Sequence, residues 1–181
     1  MSTDAKYVMR MAAVLGLALA VSDGSSAQTA TATVGPPAGT LVVVGGGLRD
    51  PAILERFVGL AGGPDAPIVV IPTAGGSEIY DQSYPGLQPF RDLGATDLLV
   101  LHTTDRDVAN SESFVAPLRR ARGVWFPGGR QWRLAEAYLD TAVQEALRDV
   151  LRRGGVVGGS SAGATFSTKP IPVVPAKNSA A

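Results

Sequence analysis

A chain of 181 residues, 45% hydrophobic and carrying 22 Gly and 13 Pro, has the size and composition of one globular domain with a real core. Its 16 basic and 16 acidic residues cancel, which removes the net positive field that nucleic acid or an anionic membrane surface would require. With no Cys and a single His, His102, the inventory excludes disulfides, thiolate nucleophiles and Cys/His metal sites, and neither a metal nor a cofactor is expected.

Residues 1–27 read as an export signal. Lys6 and Arg10 flank an apolar run from Met11 to Val21 that is too short to span a bilayer, and small polar residues follow it. Ser25 and Ala27 satisfy the small-x-small cleavage rule, giving a cut after Ala27; a cut after Ala30 and an uncleaved anchor are the alternatives. The product is expected to be secreted or periplasmic, free of the membrane after cleavage. Residues 28–38, which contain "TATVGPPAG" up to its last glycine, form a linker.

From residue 39 to 168 the pattern predicts one α/β domain. "TLVVVG" (40–45), "PIVVIP" (67–72), "TDLLVLH" (96–102), "GVWFPG" (123–128) and "GGVVGG" (154–159) are short, apolar on both faces and bounded by Gly or Pro, as buried parallel strands are. Helices are expected at about 50–61, 82–93 and 112–121, with Pro85, Pro89 and Pro117 weakening the last two. The clearest helix follows Thr141. Val143, Ala146, Leu147, Val150 and Leu151 repeat at helical spacing, Thr141 with Gln144 makes a capping box, and Gly154 supplies the stop. The alternation gives a doubly wound, mainly parallel sheet flanked by helices, with its site at the carboxyl ends of the strands.

Directly after the fifth strand, Gly159-Ser160-Ser161-Ala162-Gly163 matches G-x-S-x-G, the pattern of a nucleophile elbow. Ser161 is the candidate nucleophile, and an ordinary glycine turn is the alternative. The flanking glycines suit a tight strand-to-helix turn that exposes the hydroxyl and aims the following N–H groups at a developing oxyanion. Gly128 and Gly129 lie just past the end of the preceding strand, where a backbone N–H could complete an oxyanion hole with that of Ala162.

These segments carry a family resemblance. "FPGGRQ" and "GGVVGGSSAGA", with "LVVVGGG" opening the domain and "VVIPTAGG" ending the second strand, resemble the cyanophycinase and peptidase E family of serine peptidases over about Gly39 to Ala164. The resemblance implies a class I glutamine amidotransferase-like fold with Ser in place of Cys at the elbow. It implies that Ser161 is the nucleophile, that Gly129 and Ala162 form the oxyanion hole, and that Gln131 lines the substrate site. It also implies a peptide substrate, either dipeptides with an N-terminal Asp or an aspartate-backbone polymer with arginine side groups. The "GGRQ" form and the export signal look closer to the polymer-cleaving branch.

The departure from the family lies after Ser161. The family places its His and its acidic residue there, whereas the residues beyond Ser161 contain no His, Asp or Glu. Residues 28–168 use only Arg as a strong base, but "KPIPVVPAKNSAA" (169–181) has two Lys, three Pro and no Arg. This tail reads as foreign to the fold, from truncation or frameshift, with a natural extended tail as the alternative; Pro170, Pro172 and Pro175 block a long helix after the elbow. The reading therefore expects an inactive chain with uncovered apolar surface and poor solubility.

The remaining candidates are weaker. His102, at a strand end, is expected to be a structural residue rather than a substitute base, and Asp105 and Asp107 to be loop and cap residues. "GGGLRD" (45–50) lacks the third small residue of a dinucleotide fingerprint and reads as a backbone turn near the cleft. Arg49, Arg130 and Arg133 are either solvated surface or contacts to an acidic substrate group, and Trp125, Phe126 and Trp132 are core or cleft wall. Two function classes survive: a secreted serine peptidase, and a noncatalytic peptide-binding pseudoenzyme of the same fold.

Overall fold

Five short aliphatic runs form strands β1 (Thr40–Val44), β2 (Ile68–Val70), β3 (Leu98–Val100), β4 (Gly123–Phe126) and β5 (Val156–Ser160). They belong to a computed structural model that describes residues 38–168 and Pro36. The expected export signal, nearly all of the linker and the 169–181 tail lie outside the described residues. Among the described residues all pairings are parallel, and the order is β1-β5-β4-β2-β3. The chain steps from β1 to β2 to the β3 edge, then returns to fill the gap with β4 and β5. The helices of the outward steps pack on one face and those of the return on the other, as the right-handed rule for parallel crossovers requires. The expected doubly wound sheet is therefore present.

The pleat divides the core in two. Ile68 and Val70 of β2 pack with Trp125 and Val156 beneath helix α1 (Pro51–Ala61), whose Leu54, Phe57, Val58 and Ala61 are buried. Val69, Ile71, Val124, Phe126 and Val157 face the other way. They lie under α4 (Glu112–Arg120), α5 (Gln131–Tyr138), α6 (Ala142–Arg152) and α7 (Ala162–Thr168). Here Phe166 of α7 packs between Phe126 and Tyr138, with ring centroids 5.2 and 6.4 Å away. Part of the cover that the sequence reading expected to be missing is thus supplied by α7. Among the described residues β1 pairs only with β5, and Val43 is 54% exposed.

Local chemistry sets the helix limits. Asp50 caps α1 by accepting from the Ala52 N–H at 2.9 Å, and Gly62, at φ 116°, ends it. The single helix expected over 82–93 is instead a 3₁₀ turn, Pro85–Leu87, followed by the short α2 (Gln88–Asp92), because each proline fits only a first turn. Pro117 is accommodated inside α4, on a helix that buries only Val115 and Leu118. Two further helices, the short α3 (Arg106–Ala109) and α5 (Gln131–Tyr138), lie outside the ranges expected from the sequence pattern.

The expected capping box of α6 is not formed. The Thr141 hydroxyl donates to the Tyr138 carbonyl at 2.8 Å, and the Gln144 side chain accepts from Asp140 N–H at 2.7 Å, one residue before the cap. The reason is the neighbouring helix: α5 ends three residues earlier, and its last carbonyls need donors. The glycine stop does hold. Gly154, at φ 79°, donates to Leu151, and Gly155 donates to Val150, the two bonds of a Schellman ending.

Trp125 joins strand to helix on the α1 face, edge-on to Phe57 at 5.1 Å and to Phe90 at 6.2 Å. Trp125→Ala is expected to cost about 3–5 kcal/mol, a large fraction of a domain's total, read as a lower urea midpoint.

Candidate active site

The elbow is built by backbone packing. Ser161 has φ 53°, one of two non-glycine residues with positive φ among the described residues. That conformation is strained for a residue with a Cβ, and here it turns the chain sharply from β5 into α7. Gly163 lies against β4 so closely that a Cβ there would overlap the Phe126 carbonyl, and a Cβ on Gly159 would sit 2.6 Å from the Gly163 carbonyl carbon. Both glycines of G-x-S-x-G are therefore steric requirements. The Ser161 N–H donates to the Val44 carbonyl at 3.0 Å, tying the turn to the end of β1, and Thr165 N–H returns to the Ser161 carbonyl at 3.2 Å. Ser161 is exposed while Ala162, next in line, is buried.

The end of β4 meets this turn. A Cβ on Gly128 would lie 3.3 Å from the Ser161 Cβ, so the two strand ends converge as the sequence predicts. Gly129, at φ 146°, lies against the Ala74 carbonyl, which accepts from Arg130 N–H at 2.8 Å. The 3₁₀ turn Thr73–Gly75 at the end of β2 thus clamps the chain that carries Gly129. Ala162 opens α7, so its N–H has no acceptor inside that helix.

Gln131 is the first residue of α5 and is exposed. With Trp132, Ala135, Thr165 and Phe166 it borders a pocket of about 230 Å³. Thr165 and Phe166 stand on the same helix that the elbow opens, which brings Gln131 to the Ser161 side of the sheet end. Trp132 is 52% exposed and forms a cleft wall, whereas Trp125 and Phe126 are core. Arg133 is spoken for: it donates to the Ala74 and Gly75 carbonyls at 3.3 and 3.1 Å and lies 5.1 Å from the Trp132 ring centre. Arg49 and Arg130 are exposed, and "GGGLRD" is an open turn that ends in the Asp50 cap.

His102 stands elsewhere. It follows β3, with β2 and β4 between it and β5, a separation of about 14 Å at the usual strand spacing. Its Nδ1 lies 2.9 Å from the Thr73 hydroxyl and its Nε2 lies 3.2 Å from the Glu78 carbonyl, with Tyr80 edge-on at 4.9 Å. Burial pulls the imidazole pKa below its ordinary value, against the opposing pull of the Glu78 and Ser77 carbonyls. It is hydrogen-bonded and stands apart from the elbow, as expected. Asp105 caps α3 through the N–H groups of Asp107 and Val108, and Asp107 lies in the first turn. Sequence reasoning missed the buried Thr73 and Tyr138, whose hydroxyls are 2.7 Å apart. The "PTAGG" stretch held the only signal for the turn that clamps Gly129.

Known proteins share these features. The model of peptidase family S51 matches residues 40–176. The chain is 36% identical over 129 residues to a cyanophycinase of Geminocystis herdmanii, covering 68% of this chain and 47% of that protein. A cyanophycinase of a Nostoc species is 35% identical over 131 residues, covering 69% and 43%. The chain thus spans less than half the length of these curated relatives. Among solved structures, a peptidase from an acI-B1 Actinobacterium superposes with a TM-score of 0.50 at 24% identity, covering 68% of this chain and 53% of that one, a likeness of fold.

The glycine requirement is directly testable. Gly163→Ala is expected to lower stability by about 1–3 kcal/mol or more, because the added methyl meets rigid backbone. Gly46→Ala, with nothing within 4 Å of the new methyl, is expected to shift the urea midpoint little.

Proposed function

Because this chain belongs to peptidase family S51, we propose that the elbow is a serine-type peptidase site. Ser161 is its nucleophile, the N–H groups of Gly129 and Ala162 its oxyanion hole, and Gln131 a substrate contact. The observation that carries this reading is the strained, exposed Ser161 beside the Gly128–Gly129 turn. In this role the Ser161 hydroxyl attacks a peptide carbonyl, and the carbonyl oxygen gathers negative charge where fixed backbone donors stabilise it without reorganising. Gln131 holds the substrate without joining the bond-making step. The cyanophycinase relatives support a peptide or polymer substrate; Asp-containing peptides or a cyanophycin-like polymer are the class that the family resemblance implies. The Met11 to Val21 run supports export, with a mature amino terminus at Gln28 that sequencing of the exported protein would check.

A serine of ordinary acidity needs a base. Among the described residues no side chain hydrogen-bonds the Ser161 hydroxyl. This favours a second reading for the chain taken by itself, a peptide-binding pseudoenzyme, and an external base distinguishes the two. A fluorophosphonate probe is expected to form an adduct on Ser161, located by mass spectrometry, that grows faster when imidazole is supplied and vanishes in Ser161→Ala. No adduct even with imidazole would overturn the peptidase reading in favour of the second. Where turnover is measurable, Gln131→Ala is expected to raise KM and leave kcat nearly unchanged, and a pure kcat loss would remove its assigned role.

A further inference from the structure

We infer that His102 is a positioning residue: as a neutral imidazole protonated on Nε2, it anchors a one-way hydrogen-bond relay that fixes the Thr73–Gly75 turn and, through it, the backbone of Gly129 and Arg130.

The direction of the relay is set by its two ends. The Thr103 N–H can only donate, and it reaches the Tyr138 hydroxyl oxygen at 3.2 Å. The Glu78 carbonyl can only accept, and it faces His102 Nε2 at 3.2 Å, so Nε2 carries the hydrogen. A neutral imidazole then presents Nδ1 as an acceptor. The Thr73 hydroxyl donates to it at 2.9 Å and itself accepts from the Tyr138 hydroxyl at 2.7 Å. Each hydroxyl gives once and receives at least once. Thr73 and Tyr138 are fully buried, where an unmade hydrogen bond is costly, so the pattern is strongly enforced.

The relay ends on the clamp. Thr73 opens the 3₁₀ turn, and the next carbonyl, that of Ala74, accepts from Arg130 N–H and from the Arg133 side chain and abuts Gly129. Tyr138 closes α5, the helix that begins at Gln131. One network therefore joins the ends of β2 and β3 to both ends of the segment bearing Gly129 and Gln131.

Protonating His102 breaks the pattern. An Nδ1–H must donate to Thr73, whose own hydrogen must then turn to Tyr138. The Tyr138 oxygen would receive from both Thr73 and Thr103, and its buried O–H would lose its acceptor in the relay. Glu78 and Tyr80, on the loop after β2, meet the ring directly; Tyr138 of α5 follows through Thr73, Arg133 and Glu136 of α5 line a pocket with Thr73 and Glu78, and Asp105 after β3 bonds the Thr103 hydroxyl. Among the described residues none of them forms an ion pair with His102. The folded state thus prefers the neutral ring, in keeping with the lowered pKa. The unfolded chain takes up a proton near the ordinary 6.5, so this contribution to stability is complete above that pH and is lost as pH falls through the lower folded value.

The consequence for an oxyanion hole rests on the proposed role of Gly129, but the relay does not, and the experiment separates them. Because His102 is the only histidine, its ring ¹⁵N signals in the full chain are unambiguous. At neutral pH they are expected to show hydrogen on Nε2 and a bare Nδ1. Tyr138→Phe, which frees Thr73 to accept from Nδ1–H, is expected to raise the His102 titration toward the ordinary value. Thr73→Val is expected to speed exchange of the Arg130 amide by about tenfold, the scale of one lost hydrogen bond. His102→Asn, whose amide oxygen replaces Nδ1 as an acceptor but does not titrate, is expected to keep Arg130 protected and to abolish the pH dependence of that protection between about pH 5 and 7. Hydrogen on Nδ1, an ordinary His102 titration in the unaltered chain, or unchanged Arg130 exchange in Thr73→Val would each overturn the proposal. If Tyr138→Phe or Thr73→Val does not fold, the tautomer of the unaltered chain and the His102→Asn profile decide. Loss of the Ser161 adduct with the relay intact would count against the peptidase reading alone.

Discussion

The candidate site depends on a close approach of backbone to backbone. Helix α7 leaves β5 so tightly that Gly163 presses on the Phe126 carbonyl and Gly159 on Gly163 itself, with no room for a side chain at either contact. Only with both contacts made can Ser161 take its left-handed conformation and present its hydroxyl outside the sheet. The strain is local, and it is held by ordinary packing: Phe166, one turn further on, is buried against Phe126 and Tyr138. Strand, turn and helix therefore act as one unit.

A second constraint ties this unit to the rest of the sheet. The winding inserts β4 and β5 between strands laid down earlier, so three carboxyl ends, those of β1, β4 and β5, lie side by side. Val44 receives the Ser161 N–H from one side, and Gly128 approaches Ser161 from the other. The turn after β2 reaches over to clamp Gly129 and Arg130. None of these ties uses a charged side chain of the site. They are hydrogen bonds and van der Waals contacts of the main chain, less sensitive to salt than ion pairs, and each is anchored on a strand of the parallel sheet.

The polar side chains of the same rim follow a different rule. Those that are buried, Thr73 and Tyr138, are bonded in a chain with His102, whereas Gln131, Trp132 and Ser161 remain open to solvent. Satisfied buried groups fix the frame, and unsatisfied exposed ones are left to meet a ligand. Arg133 illustrates the division. From composition it is a cation available to a substrate carboxylate, yet its guanidinium closes the Ala74 and Gly75 carbonyls and stacks by Trp132.

The sequence by itself determined the parallel α/β class, the five strands and the elbow, because each is written in contiguous residues: runs apolar on both faces, a glycine at φ 79° after α6, and glycines two residues either side of Ser161. The strand-end position of Gly128 and Gly129 also leads to the expectation of a backbone N–H facing that of Ala162, and the family resemblance narrows it to Gly129. Short segments misled where a nearby helix competed for the same groups. Thr141 and Gln144 have the letters of a capping box, but the carbonyl of Tyr138 claims the hydroxyl. Prolines 85 and 89 were legible as breaks, but not the way they divide the segment into a 3₁₀ turn and a short helix. Only the tertiary structure decided the strand order, and with it that His102 belongs to Thr73 and Glu78 rather than to Ser161. The physical reason is that hydrogen-bond partners 24 to 65 residues apart, such as His102 with Glu78 and Thr73 with Tyr138, are chosen by how the sheet winds, and no local pattern of residues encodes that choice.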